Sequence, residues 1–137
     1  MPKKQDSYLR QSGVVPYLIK NGETKVVLVR SSSNKNWIIP KGGVQKYMSP
    51  EQSAAKEAFE EAGVLGKVSK KVLAEYDYNK CGCVCHVYIY QLAVNKILDS
   101  WDEMDRRPRC IVSIEKAIKL VKKEQKVALK SLYKMMQ

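Results

Sequence analysis

The sequence predicts an α/β sandwich in which helices pack against a mixed β-sheet. Apolar, β-branched segments typical of strands lie on both sides of one strong helical pattern, and two more helical patterns end the chain. The 137 residues fit one domain, residues 1–137, which is long enough to bury about two-thirds of its unfolded surface. With 45% hydrophobic and 28% charged residues, the composition is that of a folded globular protein.

The first predicted element is a β-hairpin. Residues 12–19 and 25–30 are apolar and β-branched, and the turn dipeptide Asn21-Gly22 lies between them. Pro16 has no N–H to donate to a neighbouring strand, so it indicates a bulge or a sheet edge in the first strand.

A short strand at residues 37–39 follows a polar loop at 31–36. Gly42 and Gly43 follow this strand, and two adjacent glycines allow a tight turn and a close approach of the backbone to a ligand. We therefore expect this stretch to contribute to a binding site.

The strongest helix signals flank residues 50–62. Ser49 is a typical N-cap, Pro50 is favoured at the first helical position, and Gln52 completes a capping box. Gly63 is the matching helix stop.

The second half of the chain completes the sheet and ends in two helices. Residues 67–76 alternate like a half-exposed strand, and residues 84–94 are the strongest strand pattern of the chain. Residues 110–113 form a short strand, and Ser113 caps the next helix. The last helix is predicted from apolar residues that share one face: Leu129, Leu132, Tyr133 and Met136.

The helix that follows Ser49 separates apolar side chains from acids. At 100° per residue, its apolar face comprises Ala55, Ala58, Phe59 and Ala62. Glu57, Glu60 and Glu61 fall within about 100° on the opposite face, where their mutual repulsion destabilises an isolated helix unless a cation offsets it. Glu51 falls on the apolar side. A hard divalent cation such as Mg²⁺ or Mn²⁺ prefers such oxygen ligands, and the alternative is a solvated acidic face.

This stretch resembles the Nudix box, G-x5-E-x7-R-E-U-x-E-E-x-G-U, in which U is a bulky aliphatic residue. The matching positions are Gly42, Glu57, Glu60, Glu61, Gly63 and Val64. Met48 stands where the first glutamate of the pattern belongs, Lys56 replaces its arginine, and Ala58 is a small aliphatic residue. The resemblance implies a Nudix-type α/β/α sandwich with a mixed β-sheet, and it implies that Glu57, Glu60 and Glu61 are catalytic and bind Mg²⁺ or Mn²⁺.

Further segments resemble the diphosphoinositol polyphosphate phosphohydrolase branch of that family, which also hydrolyses diadenosine polyphosphates. They are LVRSSSNKNWIIPKGG, ILDSW near 97–101 and SIEKAIKL from Ser113. The resemblance places Lys41, Gly42 and Gly43 in a loop that faces the substrate. It also implies an additional carboxylate from the loop at 98–109, for which the candidates are Asp102, Glu103 and Asp105.

Arginines in the same loop are the best phosphate-binding cluster of the chain, because guanidinium groups bind phosphate through two parallel hydrogen bonds. They are Arg106, Arg107 and Arg109. The alternative is an ordinary surface turn.

The net charge of +11 favours polyanionic partners. The basic residues that carry this charge are not interleaved with aromatic residues as in an RNA-binding sheet, so we expect a polyphosphorylated small molecule ahead of RNA. We expect a cytoplasmic protein, because the N-terminus lacks the apolar core of a signal peptide and no apolar run approaches a membrane span. Cys81, Cys83 and Cys85 alternate onto one strand face with His86 on the other, which favours reduced core-facing thiols over a zinc site.

Three classes of function remain open. The first is a metal-dependent hydrolase of dinucleoside polyphosphates or, next, of diphosphoinositol polyphosphates. The second is an RNA 5′-triphosphate pyrophosphohydrolase, which salt would inhibit strongly. The third is a binding module with weakened catalysis, which Met48 and Lys56 suggest.

Overall fold

The computed structural model describes residues 8–33 and 35–137. Residues 1–7, which hold most of the N-terminal segment discussed above, and residue 34 of the predicted loop lie outside the described residues. Among the described residues, no helix is both long and apolar enough to cross a membrane.

Seven strands and three helices follow one another in the described chain. The strands are β1 (Tyr8–Lys20), β2 (Glu23–Arg30), β3 (Trp37–Ile38), β4 (Lys41–Gly43), β5 (Val64–Lys80), β6 (Cys83–Ile97) and β7 (Arg109–Ser113). The helices are α1 (Pro50–Ala62), α2 (Ile114–Leu120) and α3 (Lys123–Met136).

The strands form one mixed sheet in the order β3-β2-β1-β6-β5, with β4 paired to β1 and β7 paired to β2. Only the β1–β6 pairing is parallel among the described strands. The predicted hairpin is confirmed, and Asn21 and Gly22 have φ of 53° and 76° as a tight hairpin turn requires.

Pro16 lies in an interior strand, so the expected sheet edge is wrong. On one side it faces Leu92 of β6. On the other side it lies between residues 11–13, which pair with β4, and residues 17–20, which pair with β2. Proline, which has no N–H to donate, is tolerated at this position because β1 changes there from pairing with β4 to pairing with β2.

The sheet buries both faces, as the predicted α/β/α sandwich requires. Alternate residues of β2 point to opposite sides, so Val26 and Leu28 pack under α2 and α3 while Val27 and Val29 pack under α1. The central strands β1 and β6 follow the same alternation. This arrangement places α1 on one face and the two C-terminal helices on the other. The segment from β3 to β4 contacts both faces, since the Ile39 N–H donates to Gln125 of α3 and the Lys41 N–H donates to Glu61 of α1.

Candidate active site

The start and the end of α1 follow from its own sequence. The Ser49 side chain accepts a hydrogen bond from the Gln52 N–H, and the Gln52 side chain accepts one from the Ser49 N–H, which completes the predicted capping box. Gly63 ends the helix with φ 66° and ψ 38°. Because these contacts are local, the helical register of the acids is well determined.

The buried face of α1 differs from the predicted one. Glu61 is only 4% exposed, whereas Phe59, predicted on the apolar face, is 39% exposed. The buried side chains are those of Ser53, Ala54, Ala58, Glu61 and Ala62. The solvated acidic face, which was the alternative to a metal site, is therefore excluded for Glu61, because the buried arc of the helix includes this carboxyl group.

Two of the three predicted acids lie together. The Glu61 carboxyl lies beside that of Glu57, close enough for Glu57 to raise its pKa, and Glu61 Oε1 accepts from the Lys41 backbone N–H at 3.3 Å. The Glu57 carboxyl packs against Gly42, where a Cβ atom would lie 2.3–2.7 Å from its three carboxyl atoms. Because Gly42 has no side chain, the Glu57 carboxyl can lie directly against β4.

Gly42 and Gly43 do not turn the chain, contrary to the prediction. They belong to β4, which pairs antiparallel with β1, and neither has a positive φ. The close approach made possible by Gly42 is to the Glu57 side chain, which the sequence pattern alone did not indicate.

Glu60 points away from this pair. Its carboxylate forms an ion pair with Lys56, one turn earlier on the helix. In the part of the chain that the structure describes, no three Asp, Glu, His or Cys side chains gather into a preformed metal centre. The predicted group of three acids is therefore a partly buried pair with a separate, exposed ion pair beside it.

Burial, followed by the interaction with Glu57, raises the pKa of Glu61 to about 9. The nearby Arg107 guanidinium acts in the opposite direction. Two adjacent carboxyl groups, one of them buried, favour sharing a proton or a cation. Hard oxygen donors of this kind fit Mg²⁺ or Mn²⁺, which commonly take one or two protein carboxylates together with water and substrate phosphates.

The proton held by this pair predicts how stability depends on pH. In chelator, the free energy of unfolding should fall as pH rises from about 4.5 to about 9, because Glu61 retains in the folded state a proton that it releases when unfolded. Glu61→Gln should remove this component, so the difference between the two proteins measured by urea unfolding isolates it from His86, whose raised pKa acts in the same direction. Equal pH slopes for the two proteins would contradict a protonated Glu61 in this pair.

A cleft of about 520 Å³ opens beside the pair. Its walls include five of the residues predicted from sequence, which are Lys41, Gly42, Gly43, Glu61 and Arg107. Further walls come from β1, β5, α3 and neighbouring loops through Gln11, Ser31, Ser32, Ile38, Tyr76, Tyr78, Lys80, Lys122, Glu124 and Gln125. Four basic side chains and two acidic ones therefore face the same space, which suits an anionic ligand.

Lys41 lines this cleft. Its Nζ donates to Gln11 Oε1 and to the Tyr78 hydroxyl, each at 3.1 Å. Burial lowers the pKa of the Lys41 ammonium, and the nearby Lys80 lowers it further. Lys41 thus contacts the acid pair through its backbone and the cleft through its side chain.

The predicted arginine cluster is divided by the structure. Arg107 lines the cleft, where its Nε donates to Glu103 Oε1 at 2.8 Å and its guanidinium donates to the Arg30 carbonyl at 2.8 Å. Arg106 is 76% exposed in its side chain and does not line the cleft.

Arg109 is held at the end of α1 and does not reach the cleft. It donates to the carbonyls of Ala62 at 2.8 Å and Leu98 at 2.6 Å, and its guanidinium lies 4.0 Å from the centre of the Trp101 ring. The last carbonyls of a helix lack partners within the helix, so this contact stabilises the end of α1. The geometry is that of a structural residue rather than of the predicted phosphate ligand.

Glu103 is the loop acid that the structure connects to the site. Its backbone N–H donates to the Glu60 carbonyl at 3.1 Å, and its carboxylate is held by Arg107. It also contributes to the raised pKa of Glu61. Asp102 and Asp105 do not line the cleft.

The single histidine and the cysteines lie away from the cleft walls. The His86 ring contacts Glu75 and Asp77, on the face of β5 opposite to that of Tyr76 and Tyr78. The four cysteines are free thiols. Cys85 is buried as expected, but Cys81 lies in the β5–β6 turn with φ 51°, so the predicted alternation of three cysteines on one strand face is wrong.

Some cleft residues were missed by sequence reasoning. Tyr76, Tyr78 and Lys80 come from β5, which continues four residues beyond the predicted strand. Extending the alternating pattern through Lys80 would have placed all three on one face. Gln11 and Lys122 carry no local signal of this kind.

Residues 9–133 match the family model described as the NUDIX domain. The chain belongs to the Nudix family. Members of this family generally need a divalent metal ion, which agrees with the donor set of the Glu57–Glu61 pair in this Nudix protein.

Curated relatives of this Nudix protein include several phosphohydrolases. It is 34% identical over 116 residues to diphosphoinositol polyphosphate phosphohydrolase 3-beta from Bos taurus, which covers 82% of this chain and 70% of that protein. It is 33% identical over 120 residues to Nudix hydrolase 4 from Arabidopsis thaliana, which covers 80% of this chain and 58% of that protein. Against diphosphoinositol polyphosphate phosphohydrolase 2 from Rattus norvegicus, the chain spans 55% of the relative's length at 37% identity, and the match covers 72% of this chain.

Solved structures confirm the predicted Nudix-type fold. The crystal structure of a C. elegans Ap4A hydrolase superposes with a TM-score of 0.78 at 20% identity, covering 95% of this chain and 99% of that one. The NUDIX domain of Shewanella oneidensis NrtR, solved with ADP ribose, superposes with a TM-score of 0.71 at 14% identity, covering 100% of this chain and 94% of that one.

Proposed function

We propose that this chain is a metal-dependent hydrolase that cleaves a phosphoanhydride bond in a polyphosphorylated small molecule. The observation that carries the proposal is the buried Glu61 carboxyl in the wall of a basic cleft, with the partly buried Glu57 beside it. A site that holds oxygen donors beside Lys41 and Arg107 can bind a divalent cation and phosphate groups at the same place.

Glu57 and Glu61 would hold Mg²⁺ or Mn²⁺, and Glu60 would join them once its carboxylate leaves Lys56. A cation bound there supplies polarisation of a phosphoryl oxygen and a lowered pKa for water. Lys41 and Arg107 bind the phosphates, since one contributes a compact charge and the other a planar guanidinium. Gly42 leaves room for the Glu57 carboxyl against β4, and Glu103 holds the Arg107 side chain in the cleft.

Among substrates, we place a dinucleoside polyphosphate ahead of a diphosphoinositol polyphosphate. Phosphates surround an inositol ring on all sides and call for basic groups on every wall. The cleft has four basic side chains against two acidic ones, and the turn at 81–82 adds no basic residue. A linear polyphosphate needs only one row of basic side chains, and we assign this role to Lys41, Lys80 and Arg107.

A substrate panel tests this function. With Mg²⁺ or Mn²⁺, we expect the highest kcat/KM for a dinucleoside polyphosphate, a lower value for a diphosphoinositol polyphosphate, and the lowest for RNA with a 5′-triphosphate. Preference for RNA with strong inhibition by salt would favour the RNA pyrophosphohydrolase. Metal binding without turnover on any phosphoanhydride would favour the binding module.

Arg107 and Arg106 form a matched pair for testing the phosphate contact. Arg107→Ala should raise KM for a polyphosphate about tenfold, because the charged hydrogen bonds to phosphate are lost, and the effect should shrink as salt is added. Arg106→Ala removes the same charge from the neighbouring, exposed position and should change KM much less. Equal KM values for wild type and Arg107→Ala would place the phosphate contact elsewhere.

We also propose a cytoplasmic location, where the four free thiols would stay reduced.

A further inference from the structure

Three strands each contribute one polar side chain to the lining of the cleft. Gln11 comes from β1, Lys41 from β4 and Tyr78 from β5. The Lys41 ammonium donates to both partners at 3.1 Å, and the Tyr78 hydroxyl donates to Gln11 Oε1 at 2.9 Å. The three side chains therefore form a closed triangle of hydrogen bonds.

This triangle restricts a side chain that is ordinarily flexible. A lysine has four rotatable bonds and three donors, and here two of those donors are directed to Gln11 and Tyr78. The third remains for a ligand in the cleft. Because the Lys41 N–H also donates to Glu61 Oε1, both ends of the residue are fixed relative to the acid pair.

We propose that Tyr78 and Gln11 are positioning residues that hold the Lys41 ammonium where it binds a substrate phosphate. The proposal rests on the proposed function, which supplies the phosphate. Tyr78 does not contact the reacting atoms; it acts through Lys41. Its hydroxyl remains a neutral hydrogen-bonding group, since burial and the neighbouring Cys85 raise the pKa of Tyr78 to about 12.

The test compares two tyrosines of the same strand. Tyr78→Phe removes the hydroxyl that contacts Lys41, and Tyr76→Phe removes a hydroxyl that contacts Gln125 instead, at 3.4 Å. Each is made in wild type and in a Lys41→Met background. The measurements are kcat and KM for the dinucleoside polyphosphate and, in chelator, the equilibrium Kd of tripolyphosphate.

Tyr78→Phe should raise KM and the tripolyphosphate Kd by about three- to tenfold, as expected when a charged group loses one hydrogen-bond partner, and should change kcat less. In the Lys41→Met background the same substitution should have an effect below about twofold, since its target is gone. The effect of Tyr76→Phe should be the same in both backgrounds. Gln11→Leu should repeat the Tyr78→Phe pattern.

Three outcomes would overturn the proposal. They are an unchanged Kd in Tyr78→Phe, an equal effect of Tyr78→Phe with and without Lys41, and a wild-type protein that binds no tripolyphosphate. A wild-type protein that binds tripolyphosphate through the Lys41–Tyr78 pair but hydrolyses no substrate would refute the proposed hydrolase and leave the positioning role supported. A thermal melting curve of each variant separates these results from unfolding.

Discussion

A Glu61→Gln protein should lose at least about 100-fold in kcat and most of its affinity for Mn²⁺. The loss of a group that merely supports a metal ligand already costs up to about 100-fold, and Glu61 is itself a proposed ligand. Its carboxyl is buried, lies beside that of Glu57 and is held by the Lys41 N–H. Metal titration followed by steady-state kinetics measures both effects.

Glu51→Gln is the matched control. Glu51 lies on the same helix, but it faces away from the cleft and influences Tyr90 on the other side of α1. We expect its kcat and Mn²⁺ affinity to stay near wild type, whereas Glu60→Gln should fall between the two because Glu60 must first leave Lys56. Similar losses in Glu51→Gln and Glu61→Gln would show that the metal does not bind at the Glu57–Glu61 pair.

Gly42→Ala should lower kcat by about 100-fold while leaving the protein folded. A methyl group at this position would lie 2.3 Å from the Glu57 carboxyl carbon, so the carboxyl group must move. Moving the end of a flexible side chain costs little stability, but a displacement of about 1 Å at a catalytic group can cost about 100-fold in rate. Kinetics and thermal melting together separate these two effects.

Gly43→Ala serves as the comparison for this substitution. The neighbouring glycine is exposed, its φ is not positive, and no atom lies within 4 Å of an added Cβ. Its kcat should fall much less than that of Gly42→Ala. A large loss at Gly43 with a small one at Gly42 would mean that backbone flexibility of β4, rather than the position of Glu57, controls the rate.

Patterns of short range predicted most of the secondary structure correctly. The cap at Ser49, the stop at Gly63 and the Asn21-Gly22 turn depend on residues within a few positions of one another, and all three are present. The apolar, β-branched segments likewise predicted the main strands, whereas the two buried faces of the sheet were implied by the family resemblance. The predicted end of β5 was four residues too early, and the omitted residues include Tyr78 and Lys80, which line the cleft.

The environment of the acids could not be predicted from the helix alone. Helical spacing placed Glu57 and Glu61 on one side, but the extent of burial depends on how widely the sheet covers α1. Glu61 is buried beside β4, where its Oε1 accepts from the N–H of Lys41, a residue 20 positions earlier in the chain. A projection of the helix contains no information about that contact.

The sequence by itself determined the Nudix-type fold, the helix that carries the acids, and the residues that we propose as metal ligands. Only the tertiary structure decided which acids meet and which arginine reaches the cleft. Arg107 is directed into the cleft by the Arg30 carbonyl, 77 residues away in the chain, whereas Arg109 is held by the end of α1. Local patterns arise from neighbouring residues, but the direction of a long side chain depends on partners that only folding brings within hydrogen-bond distance.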